Sequence, residues 1–182
     1  MAASDAGSSS STGHRVDVYS DGCYQPEDGS GGWAYVAYRD GVEIAADFGH
    51  VNRSSNNAME LTALLKAAIW INTHAASEPS VLWSDSVYAV MGSNRWRHVW
   101  RSRGWRKKGP DPKARSRTIP DRELWIAVDS ALSTNGSLQV RWCKGHSGIP
   151  GNEKSDELAD RGRLMTERDK APQPLFPGYG PV

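Results

Sequence analysis

Four acidic residues occupy positions from which a fold could bring their carboxylates together. Asp21 and Asp85 each follow a serine at the end of an apolar run. Glu60 opens a long segment with helical periodicity, and Asp156 lies one turn into the last such segment. Strand ends and helix starts can meet at one edge of a sheet, where ligands of α/β proteins bind. We therefore treat these four acids as candidate partners in one site.

The chemistry open to such a cluster is that of a metal-dependent hydrolase. Carboxylates held close together raise each other's pKa unless a cation balances their charge. Mg²⁺ prefers oxygen ligands, and two such ions about 4 Å apart can clamp the attacking and leaving oxygens of a phosphodiester. The acids therefore predict a divalent-metal site that acts on phosphodiesters.

Each acid also has a purely structural interpretation. Glu60 would complete a capping box if Asn57 were the N-cap of the long helix. Asp85 would cap a helix that starts at residue 86, and Asp156 would favour the helix dipole near the start of the last helix. Taken one at a time, the acids do not decide between these interpretations and catalysis.

The elements that would position the acids follow from the spacing of apolar residues. Asp40 and Gly41 indicate a tight hairpin turn between the second and third strands. A short strand after a long helix favours parallel pairing through a crossover, which indicates an α/β fold. Alternation predicts strands over 15–22, 33–38, 42–50, 81–85 and 138–143. Helical spacing predicts helices over 57–74, 86–94, 120–134 and 152–165.

Positive charge is concentrated in one segment, Arg95–Arg117. The net charge of the chain is only +1, yet this segment holds ten of the 22 lysine and arginine residues and a single acid, Asp111. Tryptophan alternates with arginine in its first half. Basic residues neutralise phosphates and aromatic rings stack on bases or sugars. The segment therefore predicts a nucleic-acid partner.

Composition sets the domain boundaries and the compartment. Residues 1–13 are small and polar and are predicted to be disordered, residues 14–166 form one domain, and residues 167–182 form a tail rich in proline and glycine. No apolar run reaches the roughly 18 residues of a membrane span, and the first 13 residues lack the apolar core of a secretory signal. Cys23 and Cys143 lack metal-binding spacing and are expected to be free thiols. We expect a cytoplasmic protein.

An ordered set of short motifs resembles one family. The chain carries Ser20-Asp21-Gly22, Asn56-Asn57-Ala58-Met59-Glu60, Ser84-Asp85-Ser86, Lys144-Gly145-His146-Ser147-Gly148 and Asn152-Glu153 with Asp156-Glu157-Leu158-Ala159. In this order and spacing, the chain closely resembles type 1 ribonuclease H of the bacterial single-domain kind. The resemblance extends from about Arg15 to Arg163.

This resemblance implies a fold, a reaction and a set of site residues. The implied fold is α/β and ribonuclease H-like, with a five-stranded mixed sheet of order 3-2-1-4-5 and helices on both faces. The implied enzyme is a monomeric endonuclease that hydrolyses the RNA strand of RNA–DNA hybrids with two Mg²⁺ ions, which Mn²⁺ can replace, and leaves 3′-hydroxyl and 5′-phosphate ends. The residues implied as catalytic are Asp21, Glu60, Asp85 and Asp156 as metal ligands, and His146 in a mobile loop.

His146 and one residue of the basic segment also have structural interpretations that involve no substrate. His146 could be a plain surface loop residue, although imidazole titrates near neutral pH. The family's basic protrusion corresponds to residues 95–117, and Trp100 in it could equally be a core residue. The substrate contacts implied by the resemblance are Gly22, Asn56, Asn57, Tyr88, Trp96, Trp100, Arg101, Arg103, Trp105, Arg106 and Lys107.

The chain also departs from the family pattern, and rival functions follow from the fold. Glu27 and Asp28 are acids in the loop after Asp21, where relatives carry other residues and where repulsion from phosphate would be expected. One rival function is a module that binds hybrids without cutting them. Another is a different two-metal nuclease or an integrase built on the same fold.

Overall fold

A single mixed sheet forms the centre of the molecule. The computed structural model describes residues 14–107 and 118–165. The strands are β1 (Val16–Tyr24), β2 (Gly31–Arg39), β3 (Val42–Val51), β4 (Ser80–Ser84) and β5 (Leu138–Trp142). Their spatial order is β3-β2-β1-β4-β5, with β1, β2 and β3 antiparallel and β4 and β5 parallel to β1. The predicted five-stranded order is confirmed.

Five α-helices surround the sheet in the described part of the chain. They are α1 (Asn56–His74), α2 (Val87–Met91), α3 (Arg97–Ser102), α4 (Arg122–Thr134) and α5 (Pro150–Arg163), and a π-helical turn, Gly92–Trp96, joins α2 to α3. The predicted tails and residues 108–117 of the basic segment lie outside the described residues. In the described ranges, no helix has the length and apolarity needed to cross a membrane.

The two faces of the sheet bury alternate residues of the central strands. Trp33 and Tyr35 of β2 join the main core cluster with residues of α1 and α4. Ala34 and Val36, which point to the opposite face, pack against Leu158 of α5. This alternation is the period-2 pattern of a strand that is covered on both sides. Helices therefore lie on both faces of the sheet, as predicted.

All four predicted helix starts differ from the structure by one or two residues, and α1 and α4 show why. Helix α1 is capped by Ser55, whose hydroxyl accepts a hydrogen bond from the Ala58 backbone N–H at 3.2 Å, and not by Asn57. Ser55 has the extended backbone conformation that an N-cap needs, so Glu60 lies outside the capping box. Helix α4 begins at Arg122, after Asp121 in a left-handed conformation, and Pro120 precedes the helix.

Local backbone geometry defines the hairpin turn and the start of α2. Asp40 and Gly41 both have positive φ values, 51° and 80°, which is the geometry of the two-residue turn predicted between β2 and β3. Helix α2 is capped by the Ser86 hydroxyl, which accepts from the Ala89 backbone N–H at 3.2 Å. Asp85 is therefore not the cap of this helix.

Candidate active site

Three of the four candidate acids meet at one end of the sheet. Asp21 lies in β1, Glu60 in the second turn of α1, and Asp85 directly after β4. One oxygen from each carboxylate lies within 4.8 Å of the others. These acids are separated by 25 to 64 positions in the sequence, and the fold brings them together. The arrangement is a compact set of oxygen donors.

Strand register and one glycine account for this convergence. Tyr19 of β1 is paired in parallel with Trp83 of β4, and Asp21 and Asp85 each follow two residues later. Helix α1 then approaches β1 closely at Gly22, where a Cβ atom would lie 2.3 Å from the Glu60 backbone nitrogen. Only glycine permits that approach. The predicted role of Gly22 as a substrate contact remains a prediction, but its packing role is evident.

Burial and mutual repulsion shift the ionisation of two of the acids. Burial, followed by the charges of Asp85 and Asp156, raises the pKa of Asp21 to about 8. Burial and then the charges of Asp21 and Asp85 raise the pKa of Glu60 to about 9. The Gly22 backbone N–H donates to the Asp21 carboxylate at 2.7 Å and thereby opposes the rise in the pKa of Asp21. Both shifts have the direction expected of buried like charges without a cation.

The residues fit a divalent cation. Among the described residues, no lysine or arginine forms an ion pair with Asp21, Glu60 or Asp85. The Glu60 Oε2 atom is buried and has no hydrogen-bond partner among the described residues. A buried carboxylate oxygen without a partner carries a large desolvation cost. Hard cations such as Mg²⁺ take such oxygens as ligands, and the donor set is therefore suited to one.

Asp156 and His146 form a pair beside this cluster. Asp156 lies in α5 and is not among the three mutually close acids, although its charge contributes to the raised pKa of Asp21. The His146 Nδ1 atom lies 3.5 Å from the Asp156 carboxylate, and the two side chains are 78% and 43% exposed. His146 has a left-handed φ of 48° in the loop before α5. The loop therefore presents the imidazole to solvent at the edge of the acids.

The predicted substrate contacts near the acids lie on an accessible surface. Asn56 and Asn57 form the exposed first turn of α1, one turn before Glu60. Tyr88 and Trp96 have ring centroids 5.8 Å apart on α2 and the π-helical turn. Both rings are partly exposed. These residues are therefore accessible to a partner, and their roles as substrate contacts remain predictions.

Two predicted contacts of the basic segment are also engaged within the protein. The Trp100 ring packs on the fully buried Trp125 ring with centroids 5.3 Å apart, which supports the core interpretation of Trp100. The Arg101 guanidinium donates to both carboxylate oxygens of Asp129 at 3.2 Å, and Arg97 binds the same carboxylate at 2.6 Å. Asp129 therefore links α4 to α3 through two ion pairs.

The end of the described basic segment is accessible. Arg103, Arg106 and Lys107 are exposed, and Trp105 packs partly against the core. Trp105 has a left-handed φ of 59°, directly after Gly104 at 63°. The charged side chains on both sides of this turn are therefore open to solvent. Residues 108–117 of the predicted protrusion lie outside the described residues.

Sequence reasoning missed two residues that contact Asp85. Asn152, which is 1% exposed, donates through Nδ2 to the Asp85 carboxylate at 3.4 Å. The Trp142 indole N–H donates to the Asp85 carbonyl oxygen at 3.0 Å. Trp142 ends β5, so only its pairing next to β4 could have indicated this contact. Asn152 belongs to the motif Asn152-Glu153 that carries the resemblance, but the sequence did not indicate its contact with Asp85.

Comparisons with known proteins agree with the motifs and the fold. A family model described as RNase H matches residues 13–163. The chain is 37% identical over 150 residues to Ribonuclease H of Verminephrobacter eiseniae (82% of this chain, 90% of that protein). It is 35% identical to Ribonuclease H of Polaromonas naphthalenivorans (81% and 86%). The crystal structure of LC9-RNase H1, a type 1 RNase H with the type 2 active-site motif, superposes with a TM-score of 0.67 at 26% identity, covering 83% of this chain and 72% of that one. The chain therefore belongs to the ribonuclease H family.

Proposed function

We propose that this ribonuclease H is an endonuclease that hydrolyses the RNA strand of RNA–DNA hybrids with two Mg²⁺ ions, which Mn²⁺ can replace, and leaves 3′-hydroxyl and 5′-phosphate ends. The observation that carries the proposal is the convergence of Asp21, Glu60 and Asp85, whose carboxylate oxygens lie within 4.8 Å of one another. A fold gains no stability from such a cluster, because burying like charges costs free energy. Their convergence is expected where they bind a cation.

All four acids would serve as metal ligands. Asp21, Glu60 and Asp85 form the buried donor set, and Asp156 adds a more exposed carboxylate at its edge. When bound, divalent ions supply positive charge for the phosphodiester oxygens and lower the pKa of water. The cluster itself positions that charge at the end of the sheet, where the accessible surface of α1 begins.

His146 is proposed to move protons or to assist product departure. Its imidazole lies at the edge of the acids, 3.5 Å from Asp156, and is 78% exposed. An exposed imidazole can exchange protons with water and still reach a leaving group. The neighbouring Asp156 carboxylate would orient the ring through Nδ1, which leaves Nε2 free to face the substrate.

Recognition of the hybrid is proposed to use two exposed surfaces. Asn56 and Asn57 project from the first turn of α1, where amide groups can bond to the 2′-hydroxyls of the RNA strand in a minor groove. Arg103, Arg106 and Lys107 lie at the exposed end of the basic segment and would neutralise phosphates. The enzyme is further proposed to act as a cytoplasmic monomer.

A cleavage assay with three labelled duplexes tests the proposal. Wild-type protein is incubated with an RNA–DNA hybrid, duplex DNA or duplex RNA, each with Mg²⁺ or with EDTA. We expect Mg²⁺-dependent cleavage of the RNA strand of the hybrid alone, with internal cuts and 3′-hydroxyl ends. Binding of the hybrid without cleavage would indicate a non-cutting module. Cleavage of duplex DNA would indicate another nuclease or an integrase.

A further inference from the structure

A short hydrogen-bonded chain leads away from the Asp85 carboxylate into the protein. The Asn152 Nδ2 atom donates to Asp85 Oδ2 at 3.4 Å. The Asn152 Oδ1 atom in turn accepts from the Cys143 thiol at 3.2 Å. Asn152 and Cys143 are buried, at 1% and 6% exposure. The chain Cys143–Asn152–Asp85 therefore connects a candidate metal ligand to the interior.

The sheet and the start of α5 hold these three hydrogen-bonded residues in place. Ser84 and Trp142 are paired in the parallel β4–β5 ladder, so the residues that follow them, Asp85 and Cys143, leave the sheet side by side. The Cys143 backbone N–H donates to the Ser84 carbonyl oxygen at 3.1 Å. Helix α5 begins at Pro150, which places Asn152 in its first turn. Three elements thus converge behind Asp85.

Space around the Asp85 carboxylate is restricted on a second side. A Cβ atom on Gly145 would lie 2.4 Å from Asp85 Oδ2. The Trp142 indole N–H holds the backbone of the same residue by donating to its carbonyl oxygen at 3.0 Å. With the backbone anchored and Oδ2 confined between Gly145 and Asn152, rotation of the carboxylate is limited. Its orientation toward Asp21 and Glu60 is therefore set by its neighbours.

The Asp85 carboxylate, which only accepts hydrogen bonds, decides which way the Asn152 amide faces, and the thiol donates to the amide oxygen on the other side. A thiol is a weak donor, whereas an amide offers one acceptor oxygen and one donor nitrogen. With Oδ1 accepting from Cys143, the NH₂ group faces Asp85, and the reversed amide would place two acceptors together at Asp85. Burial raises the pKa of Cys143 to about 11, so the thiol keeps the proton that it donates.

We propose that Asn152 is a positioning residue that orients the Asp85 carboxylate for metal binding, and that Cys143 supports Asn152 by donating to its amide oxygen. The inference rests on the proposed metal-dependent function. Groups that hydrogen-bond to metal ligands commonly change metal affinity by about 10- to 100-fold when they are removed. Loss of the Asn152 amide should therefore weaken Mg²⁺ binding while the fold is retained.

The test measures Mg²⁺ affinity of the whole chain by calorimetry, together with kcat and KM on hybrid. For Asn152→Ala we expect the Mg²⁺ dissociation constant to rise about tenfold or more, with a lower kcat that high Mg²⁺ partly restores and with little change in KM. The matched control is Asn72→Ala. Asn72 donates to the Ala131 carbonyl oxygen at 2.8 Å and joins α1 to α4, so its loss should lower thermal stability and leave Mg²⁺ affinity unchanged.

A second pair of variants keeps the test decisive if Asn152→Ala does not fold. Cys143→Val removes the donor at similar volume, and Cys143→Ser keeps a donor. We expect Cys143→Val to weaken Mg²⁺ binding several-fold and Cys143→Ser to bind nearly as wild type. Wild-type Mg²⁺ affinity in folded Asn152→Ala, or in Cys143→Val where Asn152→Ala is unfolded, would overturn the inference. A wild-type protein that binds no Mg²⁺ would instead overturn the proposed function.

Discussion

Replacement of Glu60 by glutamine should stabilise the metal-free protein, increasingly so as the pH rises above the ordinary pKa of a glutamate. The Glu60 carboxyl is 8% exposed and its Oε2 atom lacks a partner among the described residues. Its pKa is raised from 4.5 to about 9. Between pH 4.5 and about pH 9, the folded state therefore keeps the Glu60 proton, whereas the unfolded state releases it. Stability from this group is complete below the unfolded pKa and is lost as the pH rises toward the folded pKa.

The size of the effect follows from the pH interval. Each pH unit in the window changes the unfolding free energy by about 1.4 kcal/mol per proton. From about pH 4.5 to about pH 7.5, the wild type should lose up to about 4 kcal/mol that Glu60→Gln does not lose. Relaxation around the carboxylate reduces this limit, since buried sites behave with an effective dielectric constant of about 20. We expect a difference on the order of 2 kcal/mol.

The assay is urea unfolding in EDTA at several pH values between these limits, repeated with Mg²⁺ at the highest pH. Mg²⁺ should stabilise the wild type more than Glu60→Gln, because a ligand of the folded state stabilises it by RT ln(1 + [L]/Kd) and loss of a carboxylate ligand raises Kd. Glu27→Gln, which alters an exposed acid, is the control and should show no pH-dependent difference. If the wild type and Glu60→Gln differ by the same amount at every pH in EDTA, burial does not hold the Glu60 proton and the reasoning fails.

Three further predictions concern catalysis. Asp85→Asn should lower hybrid cleavage by orders of magnitude with the fold retained by circular dichroism, and substantial activity of the folded variant would remove Asp85 from the site. His146→Ala should lower kcat by about 10²-fold or more with a smaller change in KM, whereas an unchanged kcat at saturating hybrid would leave His146 a surface residue. Neutralising Arg103, Arg106 and Lys107 together should raise KM, leave kcat nearly unchanged and reduce the log–log salt slope by about 0.9 per lost contact; a collapse of kcat with an unchanged salt slope would contradict this.

The sequence determined the elements of this fold to within a few residues. Alternating and helical spacing depend on neighbours along the chain, so the five strands and the long helices could be recognised locally. Asp40 and Gly41 specified their turn because their backbone tolerates positive φ. The order of the strands came from the resemblance of the motifs to ribonuclease H, and the sheet confirms it.

The sequence also singled out the acids, but it could not decide their environments. Glu60 had the spacing of a capping-box partner and Asp85 the position of an N-cap. The fold gives these caps to Ser55 and Ser86. A cap depends on backbone angles at one residue, and several serines and asparagines near a helix start compete for the position. Only the structure shows which residue has the extended backbone.

Tertiary structure alone decided what surrounds each functional side chain. Arg101 is predicted from charge to contact phosphate, yet Asp129 binds it from a helix 28 positions away. Asn152 reaches Asp85 across 67 positions. Burial, ion pairing and hydrogen bonding depend on residues that are distant in sequence, and the raised pKa of Glu60 exists only where β1, β4 and α1 meet. A sequence pattern can name the groups that react, whereas the charge that each group carries is set by the neighbours that folding places around it.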